Sequence, residues 1–137
     1  MLQLLPKIME GEVIYELGSG WGGLALLIAK KYPSAKVIAF ELSPIPYLFS
    51  RLRQLIERRS NLNILRKSFY DHDLFDARAV ICYLFPGGMR KLASKLKKEL
   101  PVKSMVISNT FSLADWENSS LFYLDDWSAT RIYKYER

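Results

Sequence analysis

Residues 15–33 read "YELGSGWGGLALLIAKKYP". The run that leads into them, "EVIYEL" (12–17), is β-branched and aromatic and reads as a strand. Gly18, Gly20 and Gly22 follow at every second position, then Gly23, then a run of helix formers (22–32) stopped by Pro33. Glycine is needed where a chain turns tightly or where backbone comes close to a ligand. A helix start beyond such a turn offers free N–H groups and a partial positive charge. The strand, turn and helix therefore form a ligand cradle.

Outward from this unit the same alternation repeats. "KVIAFEL" (36–42) reads as a second strand, and Ser43-Pro44 supplies a capping hydroxyl and a proline at the first helical position. Ile45, Leu48, Leu52, Leu55 and Ile56 recur at helical spacing; they are expected to face the core, with Arg51, Arg58 and Arg59 outward. "LNILRKS" (62–68) is a third strand, and 69–77 is too short and acidic for a full helix. "AVICYLF" (79–85) is continuously apolar, as in a strand buried on both faces. The helix expected over 87–100 turns Met89, Leu92, Ala93 and Leu96 inward and a basic face outward, and Pro101 stops it. "SMVIS" (104–108) is a fifth strand, 109–120 is irregular, and 121–127 and 129–136 read as a hairpin or two edge strands. Strands alternating with helices imply an α/β fold with a mainly parallel sheet, here with an antiparallel C-terminal edge and few helices. Such sheets bind ligands at the carboxyl ends of their strands, where the strand order reverses.

A chain of 137 residues is enough for one domain, taken as 1–137. Cys82 is the single cysteine and His72 the single histidine, so no internal disulfide forms and no metal site is expected. No apolar run approaches the roughly 20 residues that span a bilayer. "MLQLLPKIMEGE" lacks the basic start and small-residue cleavage site of a signal peptide, which points to the cytoplasm. The net charge of +6 is spread over helix faces and reads first as a solvated surface.

Gly18, Gly20 and Gly23 satisfy G-x-G-x-x-G, and Glu41 ends the second strand, where a carboxylate can hold two ribose hydroxyls. That pattern alone admits a dinucleotide or another adenosine-type ligand. Glu16 favours the second. Beside a pyrophosphate it adds repulsion; beside the ammonium group of S-adenosyl-L-methionine it is an asset.

The pieces "VIYELGSGWGG", "AFELSPIPYLFSR", "SFYDHDLFDARAVICYLFP" and "VISNTFSLADW" resemble, in order and spacing, the class I methyltransferases. More narrowly, the chain is similar to the small lysine methyltransferases of ATP synthase c subunit and adenine nucleotide translocase and their bacterial relatives. The resemblance implies a Rossmann-like three-layer sandwich and S-adenosyl-L-methionine as cofactor. It implies that Glu16, Gly18, Ser19, Gly20 and Gly22 line the methionine part. Glu41 would hold the ribose, with Leu42, Ser68 and Phe69 at the adenine, and Tyr83 to Pro86 would lie near the transferring methyl. Trp21 and Ser68 stand where relatives often carry aspartate, and Asn109 where they often carry histidine. The chain begins almost at its first strand, so the cofactor pocket is expected to be open on the side that an N-terminal segment covers in relatives. Trp21 is expected to lie over that rim, in contact with the cofactor.

Methyl transfer is an in-line displacement in which position and desolvation matter most. Tyr83 is the first choice for a residue beside the methyl, and Asp115 with Trp116 the second, as an acid and a wall for an incoming lysine. His72, in an acidic loop, is expected to be a solvent-exposed bystander. The resemblance implies a protein lysine as acceptor and a protein partner; nucleic acid is less favoured, because "YLFP" stands where base methyltransferases carry a base-flipping motif. RNA or small-molecule methylation and a catalytically silent binding module are the alternatives.

Overall fold

The computed structural model describes residues 1–117 and 120–137. Among them, strands β1 (Val13–Leu17), β2 (Lys36–Phe40), β3 (Leu62–Leu65), β4 (Ala77–Cys82), β5 (Met105–Asn109), β6 (Ser120–Tyr123) and β7 (Arg131–Glu136) join three helices. These are α1 (Gly23–Lys31), α2 (Pro44–Glu57) and α3 (Pro86–Glu99). Within the irregular stretch expected at 109–120, residues 118 and 119 lie outside the described residues. The strands form one sheet in the order β3-β2-β1-β4-β5-β7-β6. From β3 through β5 every pairing is parallel, while β7 runs antiparallel to β5 and β6 to β7. The chain winds one way from β1 and the other way from β4, so the switch in strand order falls between these two neighbours.

The two-residue period of a strand sorts the core into two layers. Ile14, Ile81 and Ile107 face α1 and its buried Ala25, Leu26, Ile28 and Ala29. Tyr15, Leu17, Val80 and Val106 face α3, which buries Met89, Leu92, Ala93 and Leu96 as its spacing predicts. Each fully buried aliphatic side chain contributes roughly 1.5–3 kcal/mol. From Ala79 to Cys82 β4 is apolar, because both of its faces are covered there; Arg78, near its start, pairs with Glu12 at 3.4 Å.

The link from β3 to β4 carries only a 3₁₀ turn, Phe69–Asp71. An aromatic cluster fills that place. His72 lies against Phe40 (ring centroids 5.1 Å apart) and Tyr15 (5.6 Å). The Tyr15 hydroxyl donates to Asp76 Oδ1 at 2.8 Å and lies 3.3 Å from His72 Nε2. Burial, and then Lys67 beside the ring, hold the imidazole below its ordinary pKa. His72 is thus a half-buried packing element, not the solvent-exposed bystander expected.

Helix α2 corrects a second expectation. Its inward side carries Tyr47, Ser50 and Gln54; Ser50 is fully buried, and the Gln54 amide donates to the Leu62 and Arg59 carbonyls. Ile45, Leu48, Leu52, Leu55 and Ile56, expected inward, face solvent. The apolar stripe is present at the expected spacing, but the helix docks through its opposite side. Periodicity identifies the apolar face and says nothing of what covers it.

Asn61 ties the layers together. Its side-chain amide approaches the carbonyls of Ala29, Tyr32 and Ala35 at 3.1, 3.0 and 3.2 Å, closing the end of α1 and the turn into β2. Asn61→Ala leaves those acceptors unpaired and is expected to lower the unfolding free energy by about 2 kcal/mol. The measurement is the urea midpoint at unchanged m. A shift below about 0.5 kcal/mol would mean that water replaces the amide.

Candidate active site

The two-residue period that builds the α1-side core also builds the site. Continuing Ile14, Ile81 and Ile107 by two residues along each strand gives Glu16, Tyr83 and Asn109. The apolar members lie deep in the layer, and the polar members emerge at the carboxyl ends of β1, β4 and β5. There they line a cavity of about 360 Å³ with Leu17, the turn Gly18 to Trp21, Ile81 and Cys82, roofed by Met1 and Leu24. Its place is the switch point between β1 and β4.

Glycine geometry shapes the cavity floor. Gly18, Gly20 and Gly22 have φ of 80°, 54° and 76°, a region that side chains adopt only under strain. A Cβ on Gly22 would lie 2.5 Å from the Ser50 Cβ, so this glycine admits α2 against the turn. A Cβ on Gly20 would meet no atom within 4 Å and would project into open space.

Two buried polar atoms in this floor have no hydrogen-bond partner, Glu16 Oε2 and Ser19 Oγ. Burial, with the nearby Glu41 adding to it, pushes the Glu16 carboxyl up to about 8, while the Ala25 backbone N–H in the first turn of α1 pulls it down. An acid held this way is neutral at pH 7 until a cation comes beside it. Glu41, at the end of β2, accepts from Gly20 N through Oε2 and from Ser43 N through Oε1, both at 2.7 Å. It pins the glycine turn to the start of α2 and leaves further lone pairs on both oxygens. Orphaned acceptors, a glycine cradle and a second carboxylate beyond it fit a cofactor with an ammonium-bearing tail and a ribose.

Of the residues singled out from sequence, Glu16, Gly18, Ser19, Gly20, Trp21 and Tyr83 meet in this cavity. Trp21 is half exposed at the rim, its indole edge-on to Phe49 at 5.3 Å. Gly22 sits behind the turn as the cap of α1. Leu42, Ser68 and Phe69 lie beyond the carboxyl ends of β2 and β3, outside the cavity lining. Leu42 is exposed; the Ser68 hydroxyl accepts from Tyr70 N at 3.3 Å; and the Phe69 ring lies tilted against Tyr70, centroids 4.3 Å apart. Asp115 and Trp116 are not brought to the cavity. The Lys97 ammonium donates to the Asp115 carbonyl at 2.6 Å, and Trp116 packs edge-on against Tyr135 with its N–H on the Ala93 carbonyl. Both line a separate depression with Glu136 and Arg137, which pair with the N-terminal end of β5. Met1, Leu24, Ile81, Cys82 and Asn109 were not among the site residues read from sequence. The resemblance marks Asn109 as a position where relatives often carry histidine; its place in the cavity follows from β5 pairing beside β4. On the side expected to lie open, Leu5 is buried and Met1, Leu2 and Leu4 pack on the α1-side core, so the first residues supply part of the cavity wall.

The fold and the cavity at its switch point define a class I S-adenosylmethionine-dependent methyltransferase. The chain belongs to the ANTKMT methyltransferase domain family, whose model matches residues 16–120. It is 24% identical over 128 residues to a protein-lysine N-methyltransferase of Saccharolobus islandicus (strain REY15A), covering 89% of this chain and 76% of that one. Methyltransferase str2 of Strobilurus tenacellus is 36% identical over 77 residues, 54% of this chain and 27% of that protein's length. Among solved structures, an RNA methyltransferase from Salinibacter ruber, in complex with S-adenosyl-L-homocysteine, superposes with a TM-score of 0.78. That match has 22% identity over 91% of this chain and 80% of that one, and it speaks to the fold.

Proposed function

We propose that the chain transfers methyl groups to a lysine side chain of a protein. The observation that carries this reading is the arrangement of polar groups across three adjacent strands. The acceptors for a cationic cofactor tail lie at β1, and Tyr83 and Asn109 lie at β4 and β5, so the β1 and β5 ends are roughly 10 Å apart. When bound, the cofactor supplies an electrophilic methyl on a sulfonium. Glu16 and Ser19 would hold its amino-acid end and Glu41 its ribose, with Leu42, Ser68 and Phe69 as the ledge for adenine. The apolar walls formed by Met1, Leu17, Leu24 and Ile81 exclude water, which disfavours a charged amine and lowers the pKa of an entering lysine. Tyr83, which lines the cavity, would offer its ring to the positive charge of the transferring methyl. Asn109, whose Oδ1 accepts from Thr110 Oγ1 at 2.9 Å, keeps its amide fixed at the mouth. The name of the Saccharolobus relative agrees with this acceptor. A buried free thiol at Cys82, which burial pushes up to about 12, suits a reducing cytoplasm.

The test is transfer of labelled methyl from S-adenosylmethionine into a cell extract, followed by acid hydrolysis. Label is expected in Nε-methyllysine. Tyr83→Ala is expected to lower turnover about 30-fold while cofactor affinity stays within about threefold. Label that nuclease removes, or label confined to small molecules, would overturn the lysine assignment.

A further inference from the structure

Helix α2 presents its apolar side to solvent. Ile45, Leu48, Phe49, Leu52, Leu55 and Ile56 expose between 46% and 72% of their surface. These positions form one stripe on a helical wheel, and together they leave several hundred Å² of contiguous apolar surface. A monomer rarely exposes more than that without a binding role. At one end the stripe continues through the Trp21–Phe49 pair to the cavity rim.

Charge identifies the occupant. Residues 44–59 contain four arginines and one glutamate. Arg53 and Arg59 share Glu57, at 3.6 and 3.9 Å, and Arg51 and Arg53 flank the stripe on its two sides. Past the helix end Arg51, Arg58 and Arg59 surround a surface depression of about 340 Å³, floored by Gln54, Leu55 and Ser60. The Arg59 Nε is buried against Glu57 Oε2, so it is the outer end of that guanidinium that is offered to the depression. A second copy packed on this face would set the basic stripe against itself. An anionic lipid surface satisfies both features: acyl chains take the apolar stripe, and a headgroup phosphate takes the three-arginine depression.

We infer that α2 is an interfacial helix that docks the protein on anionic phospholipid, with Arg51, Arg58 and Arg59 holding a headgroup phosphate. No helix among the described residues is long and apolar enough to cross a membrane, and this docking requires none. In the docked orientation Trp21 and the cavity mouth lie at the lipid–water boundary, a preferred place for tryptophan.

Co-sedimentation with vesicles tests the inference. The full chain is expected to partition at least about tenfold more strongly into phosphatidylcholine–phosphatidylglycerol vesicles than into phosphatidylcholine alone. Leu52→Glu with Ile56→Glu is expected to lower that partition at least about tenfold, and Leu52→Gln with Ile56→Gln to do the same without added charge. Arg58→Ala and Arg59→Ala are expected to weaken it roughly fivefold each and to flatten its salt dependence. All of these positions lie outside the cavity, so S-adenosylmethionine binding stays intact and reports a folded protein. The inference is overturned if the wild-type chain stays in solution with anionic vesicles, or if the Glu or Gln variants bind as well as wild type. It is also overturned if sedimentation velocity shows a lipid-free dimer that these variants break, or if RNA and not lipid binds in an arginine-dependent way.

Discussion

Glu16→Gln is expected to stabilise the cofactor-free protein and to cripple cofactor binding. The carboxyl is buried with one oxygen unpartnered, and burial holds it at about 8 against an ordinary value of 4.5. The folded state therefore binds a proton that the unfolded state has already released between those values. Stability is fully present below about pH 4.5 and is lost as pH rises through about 8. At pH 7 the loss amounts to about 3 kcal/mol, or roughly 10 °C in Tm for a domain of this size. The amide does not titrate, so the variant is expected to melt higher than wild type at pH 7–8 and alike at pH 4. Binding runs the other way. An ammonium beside Glu16 brings its pKa below neutrality, so binding at pH 7 releases close to one proton and tightens from pH 6 to 8. Calorimetry in buffers of different ionisation enthalpy measures that proton. The variant is expected to release none and to bind about 100-fold more weakly. An affinity within about threefold of wild type would remove Glu16 from the cofactor site.

The second large effect is expected at Gly22. Alanine there takes a left-handed φ of 76° and sets its Cβ 2.5 Å from the Ser50 Cβ and 3.3 Å from the Ser50 Cα. The conformation costs about 1 kcal/mol or more, and the clash about 1–3, because Ser50 is buried on a helix that can only move as a body. The sum, about 2–4 kcal/mol, is a large part of the stability of a small domain. Denaturant titration is expected to show this loss, and Ser50→Gly in the Gly22→Ala background is expected to restore part of it. Gly20→Ala is the contrast. Its φ of 54° carries strain, but no atom lies within 4 Å of the added methyl, so stability falls by only about 1 kcal/mol. Its main effect is expected on cofactor affinity, since Gly20 lines the cavity. Equal stability losses at the two glycines would show that the Ser50 contact does not govern α2 docking.

The separate roles of these two glycines show how much of the site the residues carried in themselves. The pattern of glycines with Glu16 before and Glu41 after pointed to the turn that lines the cavity, because both the strain of positive φ and the chemistry of a carboxylate are local. It did not show that Gly22 serves helix packing, since Ser50 lies far along the chain and reaches Gly22 only when α2 docks. Asp115 illustrates the same limit. Its position after β5 suggested the mouth of the site, but the chain turns along α3, where Lys97 takes its carbonyl. Asn109 and Met1 enter the cavity for the complementary reason: register across strands and the return of the N-terminus are long-range facts.

What the sequence alone determined is the succession of strands and helices, the inward face of α3, and the nature of the glycine turn. These follow from period, propensity and capping, which act within a few residues. The tertiary structure alone decided the strand order that aligns Glu16, Tyr83 and Asn109 on one face, the fate of His72 among aromatic rings, and the direction in which α2 turns its apolar stripe. A helical wheel is symmetric to rotation as a whole. The contact through Tyr47, Ser50 and Gln54 fixed that rotation, leaving the apolar side facing outward.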